Sequence, residues 1–280
     1  MQSELRTPEQ LREHYLIERE LADRLRRAPK DQRRRLYSEV YGELLRRVPH
    51  HPRLRARHDP ASARERQEHV ERMLALVRRF VSPERALMEI GSGDCALSLR
   101  ACAFARRVYA LDVTDQLPPE VAPPPNFELV LIDGYSIPLP DGAVEVAMSD
   151  QLMEHLHPED AEDQLREIHR CLAPGGVYLC MTPNRLYGPR DISEFFDDVA
   201  TGMHLREYCA REIRPLFRRA GFSRLSFYVG AKGRFGTCPF PLLSLTESIL
   251  DALPHRARRQ LVRNRVGRAV LELRIAAFKA

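Results

Sequence analysis

Ala86-Leu87-Met88-Glu89-Ile90-Gly91-Ser92-Gly93-Asp94 runs an apolar stretch into a glycine turn, and Asp112 closes a second apolar run, Arg107-Val108-Tyr109-Ala110-Leu111, nineteen residues beyond Gly93. The glycines allow a tight strand-to-helix turn and close approach of backbone to ligand, and a carboxylate at the end of the second run accepts hydrogen bonds from a ribose diol. Charge narrows the choice of nucleotide. Glu89 and Asp94 flank the turn with no Lys or Arg between them. A pyrophosphate would be repelled there, whereas a cationic nucleoside cofactor would not.

Outward from this turn, strands are expected near residues 86–90, 107–112, 127–132, 144–148, 176–182 and 222–229, with helices near 95–105, 159–172 and 207–220. That alternation is doubly wound α/β, with right-handed crossovers and a mainly parallel sheet. Pro174-Gly175-Gly176 is expected to end one helix sharply. Before the alternation, Thr7-Pro8-Glu9-Gln10 reads as an N-cap, a first-turn proline and a capping-box glutamine, opening a helix to about residue 28. A second helix is expected from about 29 to 48, and Asp59-Pro60 opens a third whose Val70, Met73, Leu74 and Val77 face the core. At the other end Leu271, Leu273, Ile275 and Ala277 alternate with Glu272 and Arg274, which is the period of a strand.

Three further motifs follow the glycine turn in order: Asp133-Gly134-Tyr135-Ser136-Ile137-Pro138-Leu139-Pro140-Asp141-Gly142-Ala143-Val144-Glu145, then Leu152-Met153-Glu154-His155-Leu156, then Arg166-Glu167-Ile168-His169-Arg170-Cys171-Leu172-Ala173-Pro174-Gly175-Gly176. On these motifs residues 83–228 resemble the class I S-adenosylmethionine-dependent methyltransferases, particularly the small-molecule and quinone-pathway group. The resemblance implies a Rossmann-like, seven-stranded sheet whose last strand is antiparallel and inserted beside the sixth. Residues 270–280 are the candidate for that strand. The expected organisation is a helical extension over 1–80, a cofactor-binding core over 81–230, and a helical insertion over 231–269 that folds as a lid over the substrate entrance.

The resemblance implies S-adenosyl-L-methionine as cofactor. It assigns Glu89, Gly91 and Gly93 to the methionine side, Asp112 to the ribose hydroxyls, Asp133 and Gly134 to the adenine edge, and Ser149 and Asp150 to the stretch beneath the sulfonium. Methyl transfer needs alignment, water exclusion and proton removal, and no metal is obligatory. A histidine with a pKa near working pH suits proton removal. His155, after the fourth strand, and His204, in the long polar segment 183–208, are the two candidates for the base. Tyr15, Tyr37, Tyr41, His50 and His51 are further candidates for the pocket wall.

The formal net charge of +5 divides into about +7 over residues 1–80, −9 over 81–254 and +7 over 255–280. Basic flanks bring anionic lipid or nucleic acid into view. Ser149-Asp150-Gln151-Leu152 stands where flipped-base enzymes carry an Asn-Pro-Pro-Tyr type motif, so a small-molecule acceptor ranks above nucleic acid. Peripheral contact with a membrane through the basic C-terminal insertion stays open. The start of the chain has no apolar signal region, and a cytoplasmic location is expected. The six cysteines, at 95, 102, 171, 180, 209 and 238, show neither C-x-x-C pairs nor zinc spacing with histidine, and are expected to be reduced. The residues alone leave two other classes standing: an NAD-dependent oxidoreductase using the same glycine turn, and a non-catalytic methyltransferase-like binding module.

Overall fold

The computed structural model describes residues 6–52, 54 and 59–280; the remainder of the N-terminal extension lies outside the described residues. Three long helices come first: α1 (Pro8–Arg27), α2 (Lys30–Arg47) and α3 (Pro60–Val77). The capping box forms, with Gln10 N donating to Thr7 Oγ1 at 3.2 Å and Thr7 N donating to Gln10 Oε1 at 3.1 Å. Asp59 caps α3 through the backbone amides of Ala61 and Ser62.

The strands are β1 (Ala86–Ile90), β2 (Arg107–Asp112), β3 (Phe127–Leu131), β4 (Val144–Asp150), β5 (Leu172–Thr182), β6 (Arg224–Ala231), β7 (Arg234–Cys238) and β8 (Leu273–Phe278). The helices after β1 are α4 (Ala96–Ala101), α5 (Pro158–Cys171), α6 (Ala210–Arg219), α7 (Phe240–Asp251), α8 (His255–Val262) and α9 (Arg265–Leu271). All strands join one sheet in the order β3-β2-β1-β4-β5-β8-β6-β7. β1 to β5 pair in parallel, and β8 lies antiparallel between β5 and β6, beginning at Leu273 rather than at 270.

The sheet has eight strands, not seven. Residues 231–269 do not begin as a helix: β7 folds back on β6 through Lys232 (φ 54°) and Gly233 (φ 77°). Two successive positive φ values give a two-residue hairpin whose twist matches that of the strands it joins. A Lys-Gly pair is a weaker turn signal than Asn-Gly, which is why periodicity missed it. Pro174-Gly175-Gly176 likewise belongs to a strand; α5 ends at Cys171 and β5 starts at once.

Both faces of the sheet are covered, so alternate strand residues enter different cores. Ala86, Met88 and Ile90 pack with α1, α2, α5 and α6 on one face. Leu87, Val146, Met148 and Leu179 pack with α3 and α4 on the other. The N-terminal extension therefore clasps the sheet from both sides. Arg33, buried on α2, holds Asp160 at the start of α5 through Nε–Oδ2 at 2.6 Å and an NH2–Oδ1 bond at 2.9 Å, and Tyr37 Oη donates to the same carboxylate at 2.7 Å.

The insertion packs against the segment between β5 and α6. Buried Glu247 of α7 accepts from Asn184 Nδ2 (2.8 Å) and Ala210 N (2.7 Å), and Asp251 takes both Arg185 and Arg211. These polar ties, together with Arg259 donating to Glu194 O at 2.9 Å, hold the insertion against segment 183–211. Leu242, Leu245 and Ile249 stay more than half exposed on α7. No helix among the described residues is long and apolar enough to cross a membrane.

Candidate cofactor and acceptor site

At the carboxyl ends of β1 to β4 lies a cavity of about 640 Å³, the position where open α/β sheets bind ligands. One side carries the glycine turn. Gly91 N and Ser92 N donate to Leu111 O at 2.8 and 3.0 Å, and Gly93 N donates to Asp112 Oδ2 at 2.8 Å, so the turn after β1 is tied to the end of β2. Gly91 has φ 72°, and a Cβ there would lie 3.0 Å from Leu152. Gly91, Gly93, Asp112 and Gly134 all line the cavity. Gly134 is held at φ 105° against α2, where a Cβ would sit 2.8 Å from the Tyr37 ring.

The other assigned residues fall elsewhere. Asp133 turns inward to its own loop, accepting from Tyr135 N and Ser136 N. Ser149 lies on the sheet interior with its hydroxyl 2.6 Å from the Tyr178 hydroxyl, and lines no cavity described for this chain. Glu89 points to the opposite face from Ile90, into a second cavity of about 240 Å³ that Asp150 also lines. There Ser98 Oγ donates to Glu89 at 2.5 Å, and burial pushes the carboxyl up to about 8.

Helix α3 brings two basic partners to this small cavity. Arg66 pairs with Asp94, and His69 pairs with Asp150, whose hydrogen bond raises the imidazole pKa. The acidity of the turn as read from the chain is thus compensated in three dimensions, by a proton on Glu89 and by α3.

The far side of the cavity is enclosed by the N-terminal helices and the segment after β5. Its roof is α1 and α2, contributing His14, Glu18, Tyr37, Tyr41 and Leu44, together with His51 beyond α2, and its wall is the segment from Arg190 to His204. Tyr15 instead donates to Asp197 and stacks on Phe196, and His50 Nε2 meets Gln10 O. The two histidine candidates do come together: the rings of His155 and His204 lie edge to face, 4.8 Å between centroids. His155 Nδ1 donates to Met203 O at 2.9 Å, which places the proton of the neutral ring on Nδ1 and the lone pair on Nε2. His204 Nδ1 lies 2.7 Å from Glu207 Oε1. Burial works against its charge, but the Glu207 hydrogen bond with the nearby Glu154 and Asp191 charges outweighs it and pushes His204 up to about 9.

Sequence reasoning missed the carboxylates around this pair. Glu154 is fully buried, and burial raises it to about 7; Glu18 is raised to about 8 by burial and by Asp191. A signal existed for Glu18, which shares the buried stripe of α1 with Leu21 and Leu25, a core position that a lone carboxylate does not occupy without cause.

Residues 88–180 match the family described as Methyltransferase domain. A probable S-adenosylmethionine-dependent methyltransferase of Mycolicibacterium smegmatis is 34% identical over 139 residues, covering 49% of this chain and 52% of that protein. The probable S-adenosylmethionine-dependent methyltransferase Rv3030 of Mycobacterium tuberculosis is 33% identical over 140 residues, 49% of this chain and 48% of its own. The chain thus spans about half the length of the curated relatives it matches. Among solved structures, a chain of the Haloferax volcanii complex containing the Trm112 methyltransferase activator superposes with a TM-score of 0.54 at 18% identity, covering 80% of this chain and 96% of that one. A Thermotoga maritima protein titled "possible histamine N-methyltransferase" gives 0.51 at 16% identity, with 80% and 97% covered. At such identities the likeness is one of fold.

The residues present fit S-adenosylmethionine. Asp112 lines the large cavity beside Gly91 and Gly93, and Glu89 and Asp150 line the small cavity on the other face of the same turn.

Proposed function

We propose that the chain is a class I S-adenosylmethionine-dependent methyltransferase that methylates a hydroxyl of a small polar acceptor, with His155 as the general base. Bound S-adenosylmethionine supplies an electrophilic methyl group. The Gly91–Gly93 turn, Asp112 and Gly134 hold the nucleoside. Roof helices α1 and α2 keep bulk water from the acceptor side, where holding two reactants at near-attack distance contributes several kcal/mol.

The observation that carries the reading is the facing pair at the acceptor end of the cavity. In the metal-free protein Nε2 of His155 takes the acceptor proton, while Met203 O fixes the tautomer through Nδ1. His204, held by Glu207, closes the wall opposite.

The test is production of S-adenosylhomocysteine over a panel of phenols, alcohols and monosaccharides, beside calorimetry of S-adenosylhomocysteine binding. His155→Gln is expected to slow turnover by about 10² to 10⁴-fold with cofactor affinity preserved, the range for loss of a general base. Full rate in His155→Gln removes the base assignment. Cofactor binding with no turnover on any acceptor supports the non-catalytic alternative instead.

A further inference from the structure

Glu154, His155 and His204 each offer one ligand atom, and these atoms lie within 4.8 Å of one another. Their arrangement goes further than proximity. A histidine that binds a metal through one ring nitrogen almost always donates the other N–H to a carboxylate or a backbone carbonyl. Both histidines do this through Nδ1: His204 towards Glu207 Oε1 at 2.7 Å, and His155 towards Met203 O at 2.9 Å. Nε2 of each is thereby the atom turned to the shared space.

The third member has an orphaned oxygen. Glu154 is fully buried; its Oε2 accepts from Thr182 Oγ1 at 2.8 Å, while Oε1 has no hydrogen-bond partner. A buried carboxylate oxygen left unsatisfied is costly unless something else binds it. Further carboxylates surround the group. Glu207 touches His204, Asp191 Oδ2 accepts from His204 N at 3.2 Å, and the Glu18 and Asp191 carboxylates converge at Gly202. The comparison cluster His157, Glu159 and Asp160 has similar residue types but is already satisfied, because Arg33 and Tyr37 occupy the carboxylates.

We propose that Glu154, His155 and His204 form a binding site for one divalent transition-metal ion of the Zn²⁺ or Mn²⁺ class, opening onto the acceptor side of the large cavity. Two imidazoles and one carboxylate are a known donor set for such ions, and leave coordination positions open. Donors at about 2.0–2.2 Å from an ion lie roughly 3.0–3.5 Å apart, so the three side chains draw in by at most about 1.8 Å. His155 and His204 line the cavity, so the open positions face it.

The consequence rests on the proposed function. An acceptor hydroxyl coordinated there loses its proton to water, and its oxygen forms the new C–O bond as the donor's C–S bond breaks and sulfur keeps the electron pair. The ion then takes over the task His155 performs in the metal-free protein.

The test strips the full-length protein with chelator and titrates it with Zn²⁺ and, separately, Mn²⁺, following occupancy by calorimetry and by the Mn²⁺ resonance signal. One equivalent is expected, with affinity reduced at least 100-fold in Glu154→Gln and in His204→Gln. Glu207→Gln, which leaves all three ligands in place, is expected to weaken binding about 10 to 100-fold through His204 orientation. S-adenosylhomocysteine binding by each variant checks that it folds. Absence of stoichiometric uptake by the wild type, or wild-type affinity in Glu154→Gln or His204→Gln, overturns the site. Metal uptake with this pattern in a protein that methylates nothing upholds the site and defeats the proposed function; unchanged methylation after chelation, with no uptake, does the reverse.

Discussion

Replacing Arg33 by Met tests what holds the roof over the cavity. The guanidinium is buried, donates to both oxygens of Asp160 at 2.6 and 2.9 Å and to Glu159 at 2.7 Å, and bonds the Ala28 carbonyl at 2.8 Å. Methionine keeps much of the apolar stem but leaves the fully buried Asp160 carboxylate without its counter-ion. Breaking one partner of a buried pair costs about 3–5 kcal/mol, because the remaining charge stays desolvated. Tyr37 still donates to Asp160, and the α5 N-terminus still favours a negative charge there, which places the expectation near the lower end. At about 2 °C per kcal/mol for a chain of this size, the melting temperature falls by roughly 6–10 °C. Denaturant titration at pH 7 with an unchanged slope gives the free energy directly. The double variant Arg33→Met with Asp160→Asn removes the stranded charge while sparing the Tyr37 hydrogen bond, and is expected to recover at least half of the loss. A cost under about 1 kcal/mol for Arg33→Met, or strict additivity of the two single variants, refutes the claim that this pair anchors α2 to the core.

Two titrations carry further expectations. Burial pushes Glu89 up to about 8, so at pH 7 the ligand-free carboxyl is largely protonated, and a ligand ammonium placed beside it favours the ionised form. Binding of S-adenosylhomocysteine at pH 7 is then expected to release a proton and to tighten as pH rises towards 8. Calorimetry in buffers of different ionisation enthalpy reads this, and the same buffer dependence in Glu89→Gln would show that the proton comes from elsewhere. Asp251 is held down to about 2, chiefly by its hydrogen bonds from Arg185 and with Arg211 adding to them. A folded pKa below the ordinary aspartate value means that this stabilisation is present above about pH 4 and lost as pH falls towards 2. The stability gap between wild type and Asp251→Asn should therefore narrow over that window; a constant gap from pH 5 to pH 2 excludes the mechanism.

Periodicity and punctuation along the chain were sufficient for the parallel core. The apolar runs that became β1 to β5, the capping box at Thr7, and the alternation of Leu273 to Ala277 are local patterns, legible from short stretches of chain. The glycine turn and Asp112 were legible for the same reason, since φ at Gly91 and the reach from β2 to Gly93 are short-range properties. The β7 hairpin escaped because its turn, Lys232-Gly233, carries only half of the usual signal.

The site divides along the same line. Glu89 and Ile90 are neighbours in sequence but stand on opposite faces of β1, so Glu89 joins a small cavity beneath α3 and not the large one. Arg66 and His69 reach the glycine turn only because α3 packs there, and no spacing within the chain announces it. His155 and His204, forty-nine residues apart, meet because the segment after β5 returns over the ends of the strands, and Glu154, Glu18 and Glu207 converge with them from three separate elements. The sequence by itself determined the parallel core of the sheet and its glycine turn, which depend on local geometry. Tertiary packing alone decided which helices roof the cavity and which carboxylates lose their water, since desolvation is a property of everything that surrounds a group.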